Sequence, residues 1–112
     1  MDTFSVRSDT SGLVAVVTAS GRVDSQTAPD LDAELTKVAA AKNKIVLDLK
    51  GVDYLSSAGL RAIVKALQAA QKSGGGVKLA SVSEPVETIL RTVGMMEMLK
   101  MYPSVNDAVA GF

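Results

Sequence analysis

The 112 residues are enough for one domain of modest size, and at 47% hydrophobic but only 4% aromatic the core must be built from Val, Leu, Ile, Ala and Met. Twelve Lys and Arg balance 12 Asp and Glu, which argues against nucleic acid, whose binding rests on surplus cations, and against polybasic attachment to a membrane surface. With neither Cys nor His, the chain has no disulfides, thiol nucleophiles or thiolate metal sites, lacks the commonest general base and metal ligand, and does not read as an enzyme.

The start, Met1-Asp2-Thr3-Phe4-Ser5, has no basic opening and no apolar run, so it does not read as a signal peptide. No apolar stretch approaches the roughly 20 residues that span a bilayer. The chain therefore reads as cytoplasmic, without direct membrane binding. Phe4 to Arg7 alternates apolar and polar, as a half-buried strand does. Asp9 to Gly12 has turn chemistry, and Leu13 to Ala19 reads as a second strand, close enough to form a hairpin with the first. Ser20 to Ser25 reads as a loop. A helix then starts near Ser25 or Thr27, with Pro29 in its first turn and a stripe of Ala28, Leu31, Leu35 and Val38. Ile45 to Leu49 is a short apolar run bounded by polar residues and reads as a third strand; Gly51 to Leu55 reads as a connection.

A second helix is predicted from Ser56 or Ser57, with Leu60, Ile63, Val64 and Leu67 inward, ending at Ser73-Gly74-Gly75-Gly76. Val77 to Ser81 alternates as a fourth strand. Ser83-Glu84-Pro85 opens a third helix with stripe Val86, Ile89, Leu90 and Val93, capped by Gly94. Met98 to Tyr102 reads as a short edge strand. Ser104, with Asp107 three residues on, resembles a capping box and opens a last helix with Val105, Ala108, Val109 and Phe112 inward. Strands alternating with helices predict an α/β fold with crossover units. The expected build is a mixed sheet of four to five strands and about four helices. Residues 1–112 show no internal repeat and no linker, so they read as a single domain. Strands buried on both faces are continuously apolar, whereas the first and fourth alternate and Asp48 interrupts the third. The helices are therefore expected mainly on one face.

The segment richest in possible chemistry runs from Ile45 to Arg61: a buried strand, a tight connection and a helix start. Ser56 or Ser57 can cap that helix by accepting from backbone N–H groups. Gly59 is a poor helix former in the first turn and points to a close approach to the backbone. A helix N-terminus also tolerates a phosphate. Pattern alone leaves both readings of the serine pair open, cap or modification site. Asp24 and Ser25 are either a neighbouring docking surface or the cap of the first helix. Arg61, Lys65, Gln68 and Lys72 share a face that reads as solvated more readily than as a contact. Among Met95, Met96, Met98 and Met101, some are expected to fill the core. Asp48 and Asp53 read as solvated acids.

The whole pattern resembles the STAS domain, and within it the bacterial anti-sigma factor antagonists. The motifs are Gly21-Arg22-Val23-Asp24 followed by Thr27-Ala28, a strand ending in Asp48-Leu49, and the signature Tyr54-Leu55-Ser56-Ser57-Ala58-Gly59-Leu60. The ending, Val93-Gly94-Met95 with Leu99, Tyr102 and Ala108, also fits. The resemblance implies a binding protein without cofactor. Such a protein captures an anti-sigma factor, usually a serine kinase with an ATP-binding fold, and so frees a sigma factor. Phosphorylation by that kinase releases it, and a serine phosphatase resets the switch.

This chain departs from the pattern at two positions. The residue before the signature glycine, the usual phosphoacceptor, is Ala58, and the usual aspartate two residues earlier is Ser56. The resemblance then makes Ser57 the expected acceptor and Ser56 the second choice. It places the partner-binding surface on Asp24, Ser25, Ser56, Ser57, Ala58, Gly59, Leu60 and Arg61. The alternative it allows is an unphosphorylated adaptor, like the small STAS subunit of lipid-transport ABC complexes.

Overall fold

The apolar runs at Val14–Ala19 and Ile45–Leu49 become neighbouring parallel strands at the middle of a five-stranded sheet. The structure, a computed structural model, describes residues 4–112; the reading of Met1 to Thr3 as a start without leader character lies outside them. The elements run β1 (Ser5–Ser11), β2 (Val14–Val23), α1 (Ala28–Ala41), β3 (Lys44–Leu55), α2 (Ser57–Lys72), β4 (Gly76–Ala80), α3 (Glu84–Thr92), β5 (Met101–Tyr102) and α4 (Val105–Ala110). The strands lie in sequence order, with β1 antiparallel to β2 and every later pair parallel. This is the mixed α/β sheet that the alternation of elements predicts. Among the described residues, no helix is long and apolar enough to cross a membrane.

Three helices cover one face. Leu31, Leu35 and Val38 of α1, Leu60, Ile63 and Leu67 of α2, and Val86 and Leu90 of α3 are buried against Val17, Ala19, Ile45, Leu47, Val77 and Leu79 of the sheet. Each fully buried aliphatic side chain contributes about 1.5–3 kcal/mol. Among the described residues the other face carries α4 alone, with Ala108 buried over Val14, Val46 and Ala80. Val105, Val109, Phe112 and Tyr102 pack around that patch. The uninterrupted run Ile45-Val46-Leu47 is thus explained, since alternate residues are buried on opposite faces.

Several boundaries differ from the sequence reading, each for a physical reason. Ser11 pairs with Val14, so the hairpin turn is only Gly12-Leu13, and β1 runs on through Asp9 to Ser11. Gly12 has φ 61°, as the first position of such a two-residue turn requires, and Leu13 stands 73% exposed instead of lying in a strand. β2 and β3 both extend through stretches that read as loops. Ser20 pairs with Gly51, Gly21 with Val52, Arg22 with Tyr54 and Val23 with Leu55, across two register irregularities. Gly51 permits this, because a Cβ there would lie 2.6 Å from Ser20 Oγ. Val93, expected in the α3 stripe, is exposed because the helix has already ended. The Gly94 N–H donates to Arg91 O and the Met95 N–H to Leu90 O, the paired bonds of a glycine-terminated helix. Met95, Met96 and Met101 pack against the core while Met98 is exposed. Val64 is half-buried, and Ala62 and Ala66 complete the buried side of α2.

The glycine cluster after α2 separates two roles. A Cβ on Gly75 would overlap the Asn43 carbonyl, whereas one on Gly76 would meet nothing within 4 Å. Gly75→Ala should therefore destabilise by about 2–3 kcal/mol, the range of a backbone-displacing overpacking. Gly76→Ala should change stability by under about 1 kcal/mol, in the stabilising direction. Urea unfolding of the two variants checks both values.

Candidate functional site

The chain leaves β3 at the buried Leu55 and turns at once into α2. Ser56 sits at the junction in an extended conformation, φ −79° and ψ 170°. Its N–H donates to the Val23 carbonyl at 2.8 Å, so the end of β2 fixes the start of α2. Its hydroxyl accepts from the Gly59 N–H at 3.2 Å, and its carbonyl accepts from the Leu60 N–H at 2.9 Å. Ser56 is therefore the N-cap. Ser57 is the first residue of α2 and is exposed. Ala58 is half-buried and packs against the core.

Gly59 answers the question its sequence position raised. A Cβ there would lie 2.6 Å from Val23 Cγ1 and 2.7 Å from Leu55 Cδ1. The close approach is that of the two strand ends. Gly59 and Leu60, expected among the contacting residues, are buried and support the surface from beneath. The exposed or half-exposed members of the expected set are Asp24, Ser25, Ser56, Ser57, Ala58 and Arg61.

The loop between β2 and α1 is held by its own polar groups. The Asp24 carboxylate accepts from the backbone N–H groups of Gln26 (2.9 Å) and Thr27 (3.1 Å). Thr27 Oγ1 accepts from the Asp24 N–H at 2.9 Å and donates to the Arg22 carbonyl at 2.8 Å. These backbone hydrogen bonds, with the guanidinium of Arg22 beside it, lower the Asp24 pKa from its ordinary value of 3.8. Of the two readings of Asp24, the clamp at the entrance to α1 is the one the geometry displays. Thr27 occupies the cap position itself. Arg22 also lies over the Tyr54 ring, 3.9 Å from its centroid. Thr27 stands at the helix start that its sequence position suggested, whereas the contact of Arg22 with Tyr54 carries no sequence signal. The cross-strand pairing of Arg22 with Tyr54 puts these two together, and only the register reveals it.

A groove of about 260 Å³ lies between this loop and α2. Ser25 and Ala28 line one side, and Ala58, Arg61 and Ala62 the other. Lys65 and Asp32 bridge it at 3.4 Å. The structure thus brings Ser25, Ala58 and Arg61 together and presents Ser57 beside them at the helix start. Small side chains form the floor, hydroxyls and a cation the rim. Gln68 and Lys72 are exposed farther along α2.

Fold and site together define a small α/β module whose most organised surface is a helix start and the loop clamped beside it. The family model for the STAS domain matches residues 5–108, and the chain belongs to that family. It is 31% identical over 93 residues to the protein BtrV of Bordetella bronchiseptica, covering 82% of this chain and 80% of that one. It is 29% identical over 83 residues to the anti-sigma-B factor antagonist of Bacillus subtilis, covering 74% of this chain and 76% of that one. The fold is shared with the crystal structure of an anti-sigma factor antagonist from Mycobacterium paratuberculosis. That match has a TM-score of 0.88 at 24% identity, covering 97% of this chain and 93% of that one.

Two measurements test this site geometry. Ser56→Ala removes the cap and should cost about 1 kcal/mol in chemical unfolding, whereas Ser57→Ala should stay within about 0.5 kcal/mol. The second concerns acid. The folded pKa of Asp24 is depressed below 3.8, so its ionised form favours the folded loop above that pH. The contribution is lost as pH falls through the folded pKa. The melting-temperature gap between wild type and Asp24→Asn should therefore shrink as pH drops below 3.8.

Proposed function

We propose that this chain is an anti-sigma factor antagonist, a regulatory binding protein of the cytoplasm that is switched by phosphorylation of Ser57. The observation that carries the reading is the exposed Ser57 hydroxyl at the first position of α2, in a chain that belongs to the STAS family. Ser56 is the weaker candidate acceptor because its hydroxyl already caps the helix. Ala58 cannot accept a phosphate at all. The partner is an anti-sigma factor with serine kinase activity and an ATP-binding fold, and a serine phosphatase reverses the modification. Contact falls on Ser25, Ser57, Ala58 and Arg61, with Asp24 and Ser56 fixing the backbone that presents them.

The switch works by charge. A phosphate adds roughly −1.5 to −2 charges at neutral pH. The first turn of α2 contains no acidic residue, so the helix terminus itself favours an added negative charge. The fold is therefore kept. In a closed interface, like charges brought together cost several kcal/mol. Each 1.4 kcal/mol is about tenfold in affinity, so release by two to three orders of magnitude follows without any change of fold.

The test uses the purified anti-sigma factor kinases of the native cell, each with ATP. Wild type and Ser56→Ala should be labelled and Ser57→Ala should not; the reverse pattern moves the acceptor to Ser56. Ser57→Asp should melt within a few degrees of wild type yet bind its kinase about 100-fold more weakly by calorimetry. Binding at wild-type strength sinks the switch. Absence of labelling, with co-purification of a transporter ATPase, would establish the adaptor instead.

A further inference from the structure

The two edges of the sheet are built differently. β5 is two residues long and is followed closely by α4. β1 is seven residues long, and six of them are exposed. Natural edge strands are blunted by proline, by charged side chains and lysine above all, by bulges or by shortness, because an open row of N–H and C=O groups templates pairing with another chain; the two charges of β1, Arg7 and Asp9, are of opposite sign. β1 contains neither Pro nor Lys, and its register with β2 is unbroken from Ser5 to Ser11. The irregularities of this sheet fall between β2 and β3 instead.

The free side of β1 can be read from one hydrogen bond. The Thr10 N–H donates to the carboxylate of Asp9 at 2.8 Å. Thr10 therefore turns its backbone away from β2, and by the alternation of an antiparallel ladder so do Val6 and Ser8. The Ser8 side chain points at α1, where it donates to Glu34. Its position along β1 is fixed from the helix side, while its backbone faces outward.

The sequence of this edge is self-complementary about Ser8. In an antiparallel pair centred there, Ser8 faces Ser8 of the second copy, Val6 faces Thr10, and Ser5 faces Ser11. Arg7 faces Asp9 and Asp9 faces Arg7, giving two opposite-charge pairs related by the two-fold axis. Any shift of register breaks both pairs. Neither Arg7 nor Asp9 is in an ion pair within the described residues. Isologous contact of one patch with itself is the commonest route to a closed dimer.

We propose that β1 pairs with β1 of a second copy of this chain, in register about Ser8, to form a continuous ten-stranded sheet. On pairing, the Thr10 N–H exchanges the Asp9 carboxylate for the Val6 carbonyl of the partner strand, and Asp9 turns to Arg7 across the axis. None of the residues lining the groove beside Ser57 belongs to β1. The dimer therefore presents two such grooves, one on each copy.

The experiment is sedimentation equilibrium of the whole chain over about 1–500 μM. Wild type should dimerise. Arg7→Asp and Asp9→Arg each place two like-charge pairs across the axis and should weaken the dimer at least tenfold. The double swap, Arg7→Asp with Asp9→Arg, restores both attractive pairs and should restore the dimer. Thermal melts confirm that all variants fold. Hydrogen exchange of the Ser8 and Thr10 amides in wild type should slow with rising concentration. A wild type that stays monomeric throughout this range overturns the proposal. So does a dimer indifferent to the single reversals, or a double swap that remains as weak as they are.

Discussion

One hydrogen bond ties the sheet of this protein to its site: Ser56 N–H to the Val23 carbonyl, 2.8 Å. It exists only because β2 and β3 keep pairing past their apolar runs, through Ser20–Val23 and Gly51–Leu55. That extension brings two strand ends level, and Gly59 lets the first turn of α2 settle onto them. The loop before α1 springs from the same strand end and closes on its own aspartate. Both walls of the groove are therefore referenced to one rigid point. Small side chains in its floor are a consequence, because bulk at Ala58 or Ala62 would compete with the packing of α2 on the core.

On the proposed reading, the adjacent serines divide two tasks that one residue could not perform together. A cap hydroxyl is useful because it is committed to a backbone N–H, and a modifiable hydroxyl is useful because it is not. Ser56 is extended and half-buried, and Ser57 is helical and exposed. A phosphate on Ser56 would disturb the cap, worth about 1 kcal/mol, and with it the docking of α2. A phosphate on Ser57, as proposed, would change the charge at the surface while the helix start stays in place.

Much of this was legible from residue pattern. Ala28, Leu31, Leu35 and Val38 form the buried stripe of α1 as their spacing requires. Ser104 caps α4 by accepting from the Asp107 N–H. Misreadings cluster where structure comes from pairing and not from local preference. Ser20, Gly21, Gly51 and Asp53 carry no strand signal, yet they lie in strands because each stretch has the other as partner. Val93 continues the period of α3, but it is already the C-cap before Gly94, the glycine read as the end of the helix, and so leaves the buried stripe. The cap of α2 was legible to within one residue. Either serine can cap a helix in principle, and only the backbone angles of Ser56 decide which does. Arg22 over Tyr54 was invisible, since the contact joins two strands far apart in sequence.

On the proposed reading the accepting hydroxyl stands at position 57 and not at 58, and the two positions face different ways. Successive helix residues differ by about 100° around the axis. Ala58 faces the groove and the core, whereas Ser57 faces solvent. An acceptor at 58 would present its hydroxyl from within the groove, flanked by Ala62 one turn along. An acceptor at 57 is reached from the rim, with Arg61 one turn along the same face. A kinase suited to one cannot reach the other without turning about α2. On the proposed reading, an acceptor at 57 in place of 58 changes the direction of approach while leaving the scaffold intact, a difference of the kind that can separate partners.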